Sequence, residues 1–326
     1  MESRLPRPRS IVAGLTVLAA LACGCVDRSR PVLQIAVAAS PSAEILELAQ
    51  ARGLFSAEGV EVRLVEHTSS SDVLRAFERG QVEGMLTSVV EVLHARDTST
   101  RAPRVVMVTD GAGADGIVLT REPLATGADL RGLRVAVEPR SLSFYVLLET
   151  LARNGLALAD VTLVQADSMA MPRLLAEGAV DAAVSSPPWA QHIMRDDGGQ
   201  PLGDGPQRTN AIEVLAFDRS VLEDRPADVA AVLRAWDRAL ASLKADPDGS
   251  ISLMAARERL TVHEFGGLLA EARLLRSDEQ DPWLATGGPL ALAVERISRM
   301  LRDNGQMNGA DRSAEPLATV ATPGTG

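Results

Sequence analysis

A 15-residue segment at 74–88, LRAFERGQVEGMLTS, recurs at 172–186 as PRLLAEGAVDAAVSS, at a constant offset of 98. Both copies read as a helix, a glycine turn, a valine, an acid, a small residue, an apolar strand and two hydroxyls. Upstream, GLFSAEGVEV at 53–62 and GLALADVTLV at 155–164 repeat the preceding turn and strand at an offset of 102. A helix closed by glycine and followed by an apolar strand is half of an α/β unit. Any two such units share that outline, but not a matched pair of hydroxyls at the strand end. The chain is therefore expected to build two lobes of one design.

The rest of the chain agrees. From Val32 onward, short β-branched or apolar runs alternate with helical patterns, the signature of α/β units around a mainly parallel sheet. Strands are expected at 33–38, 60–65, 84–87, 105–109, 116–120, 134–137, 161–164, 182–185 and 213–217. Helices are expected at 43–52, 72–79, 89–95, 142–154, 170–177, 188–195, 226–244, 248–257, 261–272 and 288–304. After Asp218 only helical patterns remain. This predicts an α/β fold of two lobes, each a mainly parallel sheet flanked by helices, with a helical C-terminal segment folding back on the first lobe. Lobe I is expected to take 32–110 and 217–305, and lobe II 111–216. The tail at 306–326 has few large apolar residues and is expected to be disordered.

A length of 326 residues, 46% of them hydrophobic and 23% charged, suits two such lobes with a sizeable core. No second long apolar run follows the first two dozen residues, which excludes a polytopic membrane protein. The net charge is −10, and Lys244 is the only lysine among scattered arginines, so nucleic acid is not an expected partner.

The first 25 residues, MESRLPRPRSIVAGLTVLAALACGC, place arginines 4, 7 and 9 ahead of an apolar run and end on two cysteines. This reads as a secretory signal peptide, too short for a membrane span of roughly 18 or more apolar residues. Ala-Leu-Ala-Cys and Ala-Cys-Gly-Cys both resemble the bacterial lipobox, whose cysteine is acylated, so Cys23 or Cys25 is the expected lipidation site. An ordinary cleaved signal with incidental cysteines is the plainer alternative. The remainder has no cysteine, hence no disulfide, and is expected to work in the periplasm or cell envelope, tethered to the membrane by lipid.

Ligands of open parallel sheets bind beyond the carboxyl ends of the strands, near helix N-termini. The residues that follow the predicted strands are thus the candidates: Ser40 and Ser42, Ser88, Asp110, then Arg140, Ser141, Ser186 and Trp189. Each serine also suits a helix N-cap. Arg140 is out of place at a helix start, where a cation opposes the dipole; it is either an exposed surface arginine or a contact to a ligand or the other lobe. Catalytic patterns fail on context. Gly111 to Gly116 spells G-x-G-x-x-G, yet a strand follows where a dinucleotide would need a helix. His67, His94, His192 and His263 have no metal-ligand spacing, and no nucleophile elbow or Walker loop occurs. No catalytic residue, metal or cofactor is expected.

Taken together, GADGIVL at 113–119, ADLRGLRVAVE at 128–138, DVTLV at 160–164 and GAVDAAV at 178–184 resemble the nitrate/sulfonate/taurine group of substrate-binding proteins of ABC importers. The resemblance runs from about 33 to 305 and includes Arg225-Pro226, Ala235-Trp236 and Asp246-Pro247. It implies the two-lobed periplasmic-binding-protein-like fold (type II), closing on a small ligand and delivering it to a membrane permease, with a monomer as the family expectation. The interlobe crossings would lie near 110–116 and 211–218. Ser88, Asp110 and Ser141 match positions that line the family's cleft. Arg140 stands where glycine is common, and Ser186-Pro187-Pro188 where Trp-Glu-Pro is common. Relatives take oxyanions, amino-sulfonates or pyrimidine vitamin precursors. The fold also serves enzymes, such as a chorismate dehydratase, and a tethered ligand sensor is a further alternative.

Overall fold

The computed structural model describes residues 31–112, 115–196, 198–203, 207–209, 211–308 and 317–318. The expected signal peptide and both cysteines lie outside the described residues. From Val32 the chain forms one compact unit. Its first stretch is β1 (Leu33–Ala38), α1 (Pro41–Ala51), α2 (Leu54–Ala57), β2 (Val62–His67), α3 (Ser70–Glu78), β3 (Gly84–Ser88), α4 (Val89–Thr98) and β4 (Pro103–Asp110). The chain then crosses to β5 (Asp115–Thr120), β6 (Arg134–Val137), α5 (Leu142–Arg153), β7 (Thr162–Gln165), α6 (Met171–Ala176), β8 (Ala182–Ser185) and α7 (Trp189–Asp196), with short strands β9 (Gln200–Pro201) and β10 (Gln207–Arg208). It returns through β11 (Glu213–Asp218) and ends in α8 (Arg219–Asp224), α9 (Pro226–Ala245), α10 (Pro247–Arg257), α11 (Val262–Glu271), α12 (Asp281–Leu284) and α13 (Pro289–Asp303).

The two sheets have the same plan. The first runs β2-β1-β3-β11-β4 and the second β7-β6-β8-β5-β10, with β9 added alongside β5. In each, three parallel strands meet one antiparallel strand, β11 against β3 and β5 against β8. The repeat seen in the sequence is thus α3 with β3 in one lobe and α6 with β8 in the other. Gly80 and Gly178 occupy the same left-handed turn, both at φ 68°, which a side chain would oppose.

Local chemistry explains the boundaries. Ser40, Ser69, Ser88 and Ser141 accept from backbone N–H groups and start α1, α3, α4 and α5. Pro41 in the first turn of α1 and the short Ser70 and Ser71 of α3 let these helices begin two residues earlier than the apolar periodicity indicates. α2, α8, α12, β9 and β10 are each six residues or shorter, below what periodicity resolves. The first crossing occupies the step from β4 to β5. The return falls between β10 and β11, ahead of the expected 211–218, because β11 belongs wholly to the first sheet. There Val214, Leu215, Ala216 and Phe217 are buried between β3 and β4.

One hydrophobic cluster joins the lobes, running from Val73, Phe77 and Val89 to Leu142, Tyr145 and Val184. A second lies on the outer face of the first sheet under α1 and α9, where buried Trp236 donates Nε1–H to Leu275 O at 2.9 Å. A third fills the outer face of the second sheet. α13 packs against both α4 and α5, so the C-terminal helices fold back across the lobes. Most of the tail lies outside the described residues. Leu317 and Ala318 are described and lie beside β4, with Val105 N–H donating to Leu317 O at 2.9 Å. No described helix is long and apolar enough to cross a membrane.

Candidate functional site

A cavity of about 620 Å³ opens between the lobes beyond the carboxyl ends of β1 and β2. The first lobe contributes Glu44 and Glu47 from α1 and Glu66 and His67 from β2. The second contributes Trp189 and His192 from α7, and the turn after α10 closes one side with Arg257, Glu258 and Arg259. A smaller recess of about 80 Å³ shares Ala38 and Ala39 with it and is walled by Ser40, Ser88, Asp110, Ser186, Glu213 and Glu271.

The structure gathers four of the sequence candidates, Ser40, Ser88, Asp110 and Ser186, around the recess. The reason is the repeat: Ser88 ends β3, and Ser186 directly follows the equivalent strand β8. Trp189 lies on the wall of the larger cavity, edge-on to His192 with ring centroids 5.9 Å apart. Ser40 also points its hydroxyl toward Glu213 Oε2 at 3.4 Å, and Asp110 Oδ1 accepts from Ala112 and Arg273 N–H at 2.8 and 2.9 Å.

Three candidates line neither space. Ser42 is fully buried in the first turn of α1, against Glu213. Ser141 is buried as the cap of α5, its hydroxyl donating to Glu138 O at 2.7 Å. Arg140 sits at φ 56° and swings its guanidinium away from the cavities to Glu78 Oε1 at 2.5 Å and Thr98 Oγ1 at 2.7 Å. The unfavourable cation at a helix start is answered by a carboxylate of the other lobe.

A second pair of interlobe contacts escaped the sequence reading. Glu91, on α4, is fully buried and accepts from Thr87 Oγ1 at 3.1 Å, Ser88 Oγ at 2.5 Å and, across the interface, Leu142 N–H at 2.8 Å. Glu138, at the end of β6, accepts from Ser71 N–H at 3.0 Å and from the Ser71 hydroxyl. Each lobe thus presents a buried carboxylate to the first turn of a helix of the other, where free N–H groups and the helix dipole favour negative charge. Ser88-x-x-Glu91 has the spacing of a local capping box, which conceals its long-range role in the sequence.

The cavity wall holds two buried carboxyls, Glu44 and Glu47, and the exposed Glu66. Arg257 meets Glu44 at 3.3 Å, Glu47 at 3.1 Å and Glu66 at 2.7 Å. Burial and the neighbouring Glu258 push the Glu44 carboxyl up to about 9. Burial pushes Glu47 up to about 7 against the pull of Arg257, and burial together with the Asp110 charge does the same to Glu213. His94, buried beside Arg140, is driven down to about 4. The α7 face closes on the first lobe through His192 Nε2 to Glu258 O at 3.0 Å and Arg195 to Arg259 O at 3.3 Å.

The fold is shared with solved structures. The alkanesulfonate-binding protein SsuA from Xanthomonas axonopodis pv. citri, bound to MOPS, is 19% identical with a TM-score of 0.73, covering 88% of this chain and 98% of that one. The periplasmic aliphatic sulphonate-binding protein SsuA from Escherichia coli is 20% identical with a TM-score of 0.67, covering 85% and 88%. The desulfurization enzyme DSZB, as a mutant in complex with biphenyl-2-sulfinic acid, is 20% identical with a TM-score of 0.59, covering 88% and 95%. At such identities the likeness is one of fold, the two-lobed periplasmic-binding-protein-like architecture. No curated protein matches the sequence. The family model described as NMT1/THI5 like matches residues 41–250, and this chain belongs to that family.

Proposed function

We propose that this protein is an extracytoplasmic receptor that captures a small polar solute between its lobes and delivers it to an ABC importer. The observation that carries the reading is the cavity itself. It lies at the carboxyl ends of equivalent parallel strands, is enclosed by both lobes, and its volume of about 620 Å³ falls in the range of small-molecule sites. The SsuA structures, named as sulfonate-binding proteins, supply the transport context. DSZB, an enzyme of similar fold, is the reason to look for turnover beside binding. The leader and its cysteines support a lipid tether at Cys23 or Cys25, which would hold a monomeric receptor beside its permease.

A thermal-shift screen of the purified protein against nitrate, alkanesulfonates, taurine and aminopyrimidines tests this. A true ligand at 100 times its dissociation constant should stabilise by about 2.7 kcal/mol, a shift of several degrees. The hit should be recovered unchanged, and chemical conversion of it would replace the receptor reading with an enzymatic one. In the cell, substituting both cysteines by alanine should release the protein from the membrane fraction. Retention of that variant at the membrane would rule out the lipid tether.

A further inference from the structure

The cavity has more negative than positive groups in its wall, and two of the acids, Glu44 and Glu47, are buried. Glu44, Glu47, Glu66, Asp196 and Glu258 line it against Arg195, Arg257 and Arg259; Arg195 pairs with Asp196 and Glu264, and Arg257 meets Glu44, Glu47 and Glu66 with Glu258 beside them. Glu44 and Glu47 are only 2% and 4% exposed. Oε1 of Glu47 accepts no hydrogen bond, although the residue lines the cavity. The adjoining recess adds Asp110, Glu213 and Glu271, and no arginine or lysine among the described residues lines it.

Buried carboxylates in excess must be neutralised, either by protons or by a cation. Two positions suited to an anion, the first turns of α3 and α5, are already filled by Glu138 and Glu91. A metal ion is a poor candidate, because no group of three His, Cys, Asp or Glu among the described residues is arranged to hold one. An organic cation has both the room and the partners. The half-buried indole of Trp189 on the same wall adds a face that favours positive charge.

We propose that the ligand carries a protonated nitrogen, seated in the cavity against the free edge of Glu47 and its neighbour Glu66. This deepens the solute-capture reading and rests on it. The bound nitrogen supplies the positive charge that protons supply in the empty cavity. Binding therefore releases a proton near neutral pH.

Isothermal titration of the full chain in mild detergent tests this with matched probes, each an amine and its counterpart without the nitrogen. Suitable pairs are taurine with ethanesulfonate, γ-aminobutyrate with butyrate, and putrescine with 1,4-butanediol, with nitrate added as a pure anion. At least one amine should bind, and its counterpart should be weaker by about tenfold or more, the scale of a lost hydrogen bond to a charged group. The heat of amine binding should differ between phosphate and Tris buffers, reporting the released proton. Glu47→Gln should weaken the amine by about tenfold while the thermal midpoint is no lower than the parent's. Equal or tighter binding of ethanesulfonate, butyrate or nitrate would overturn the charge assignment and leave solute capture standing, as would an unaltered affinity in a folded Glu47→Gln variant. A flat response to every probe would count against both.

Discussion

Glu91→Ala should lower the stability of the protein by about 2–5 kcal/mol, the range for leaving buried donors unsatisfied and opening a cavity. The Glu91 side chain is fully buried and satisfies three donors: the Thr87 and Ser88 hydroxyls within its own lobe and Leu142 N–H at the start of α5 in the other. Truncation leaves those donors without an acceptor, and each such loss costs about 1–3 kcal/mol where water cannot reach. It also removes the acceptor that meets the free N–H groups at the start of α5. Burial raises the Glu91 carboxyl, so the intact contact contributes less than its truncation costs. Glu91→Gln keeps one acceptor and should therefore lie between the parent and the alanine variant in urea unfolding. Because the Leu142 bond crosses the interface, amide exchange at the start of α5 should accelerate in Glu91→Ala more than exchange in α9. A variant within about 0.5 kcal/mol of the parent, the scatter of an ordinary surface change, would mean that Glu91 does not tie the lobes.

Two of the ties between the lobes, through Arg140 and through Glu91, differ in how visible they are in the sequence. Arg140 was conspicuous because a cation at a helix start contradicts local electrostatics, and a residue that breaks a local rule points to a distant partner. Its partner, Glu78, was invisible, since an acid at the end of α3 reads as ordinary surface. Glu91 broke no rule at all. The repeat made the architecture legible, because a turn that needs a left-handed residue at both Gly80 and Gly178 leaves a fixed mark in each copy. It also brought out Ser88 and Ser186, which do meet around one recess. The acidic end of the cavity was not legible for a different reason. Glu44 and Glu47 lie on α1, Glu66 on β2 and Arg257 on α10, and in the sequence each is one more charge on a helix or strand. Their convergence exists only after α10 has folded back on the first lobe.

That convergence should set the pH dependence of the whole fold. An acid whose folded pKa is raised stabilises most below its unfolded value and loses that contribution as pH climbs through the folded one. Glu47 and Glu213, raised from 4.5 to about 7, should each withdraw up to roughly 3 kcal/mol across that window, less for Glu213 because it opens on the recess. Glu44, raised to about 9, extends the loss into the alkaline range. His94 works the other way. Lowered from 6.5 to about 4, it gains stability as pH rises between those values, because the buried imidazole then remains neutral in both states. Paired acids held low, such as Asp218 with Arg101 and Asp181 with Arg134, lose their contribution below about pH 4. Glu44, Glu47 and Glu213 together outweigh His94 between pH 4.5 and 6.5, so stability should decline from near pH 4.5, by more than the roughly 3 kcal/mol of any single one of them by pH 8.5. Thermal midpoints from pH 4 to 9 measure this directly. Glu44→Gln and Glu47→Gln should flatten the alkaline decline, whereas His94→Gln should steepen the fall between pH 5 and 6.5. A midpoint that rises from pH 5 to 8.5 would show that these carboxyls ionise without penalty. A bound cation removes the same penalty by replacing the proton, so an amine ligand should stabilise the protein more at pH 8.5 than at pH 5.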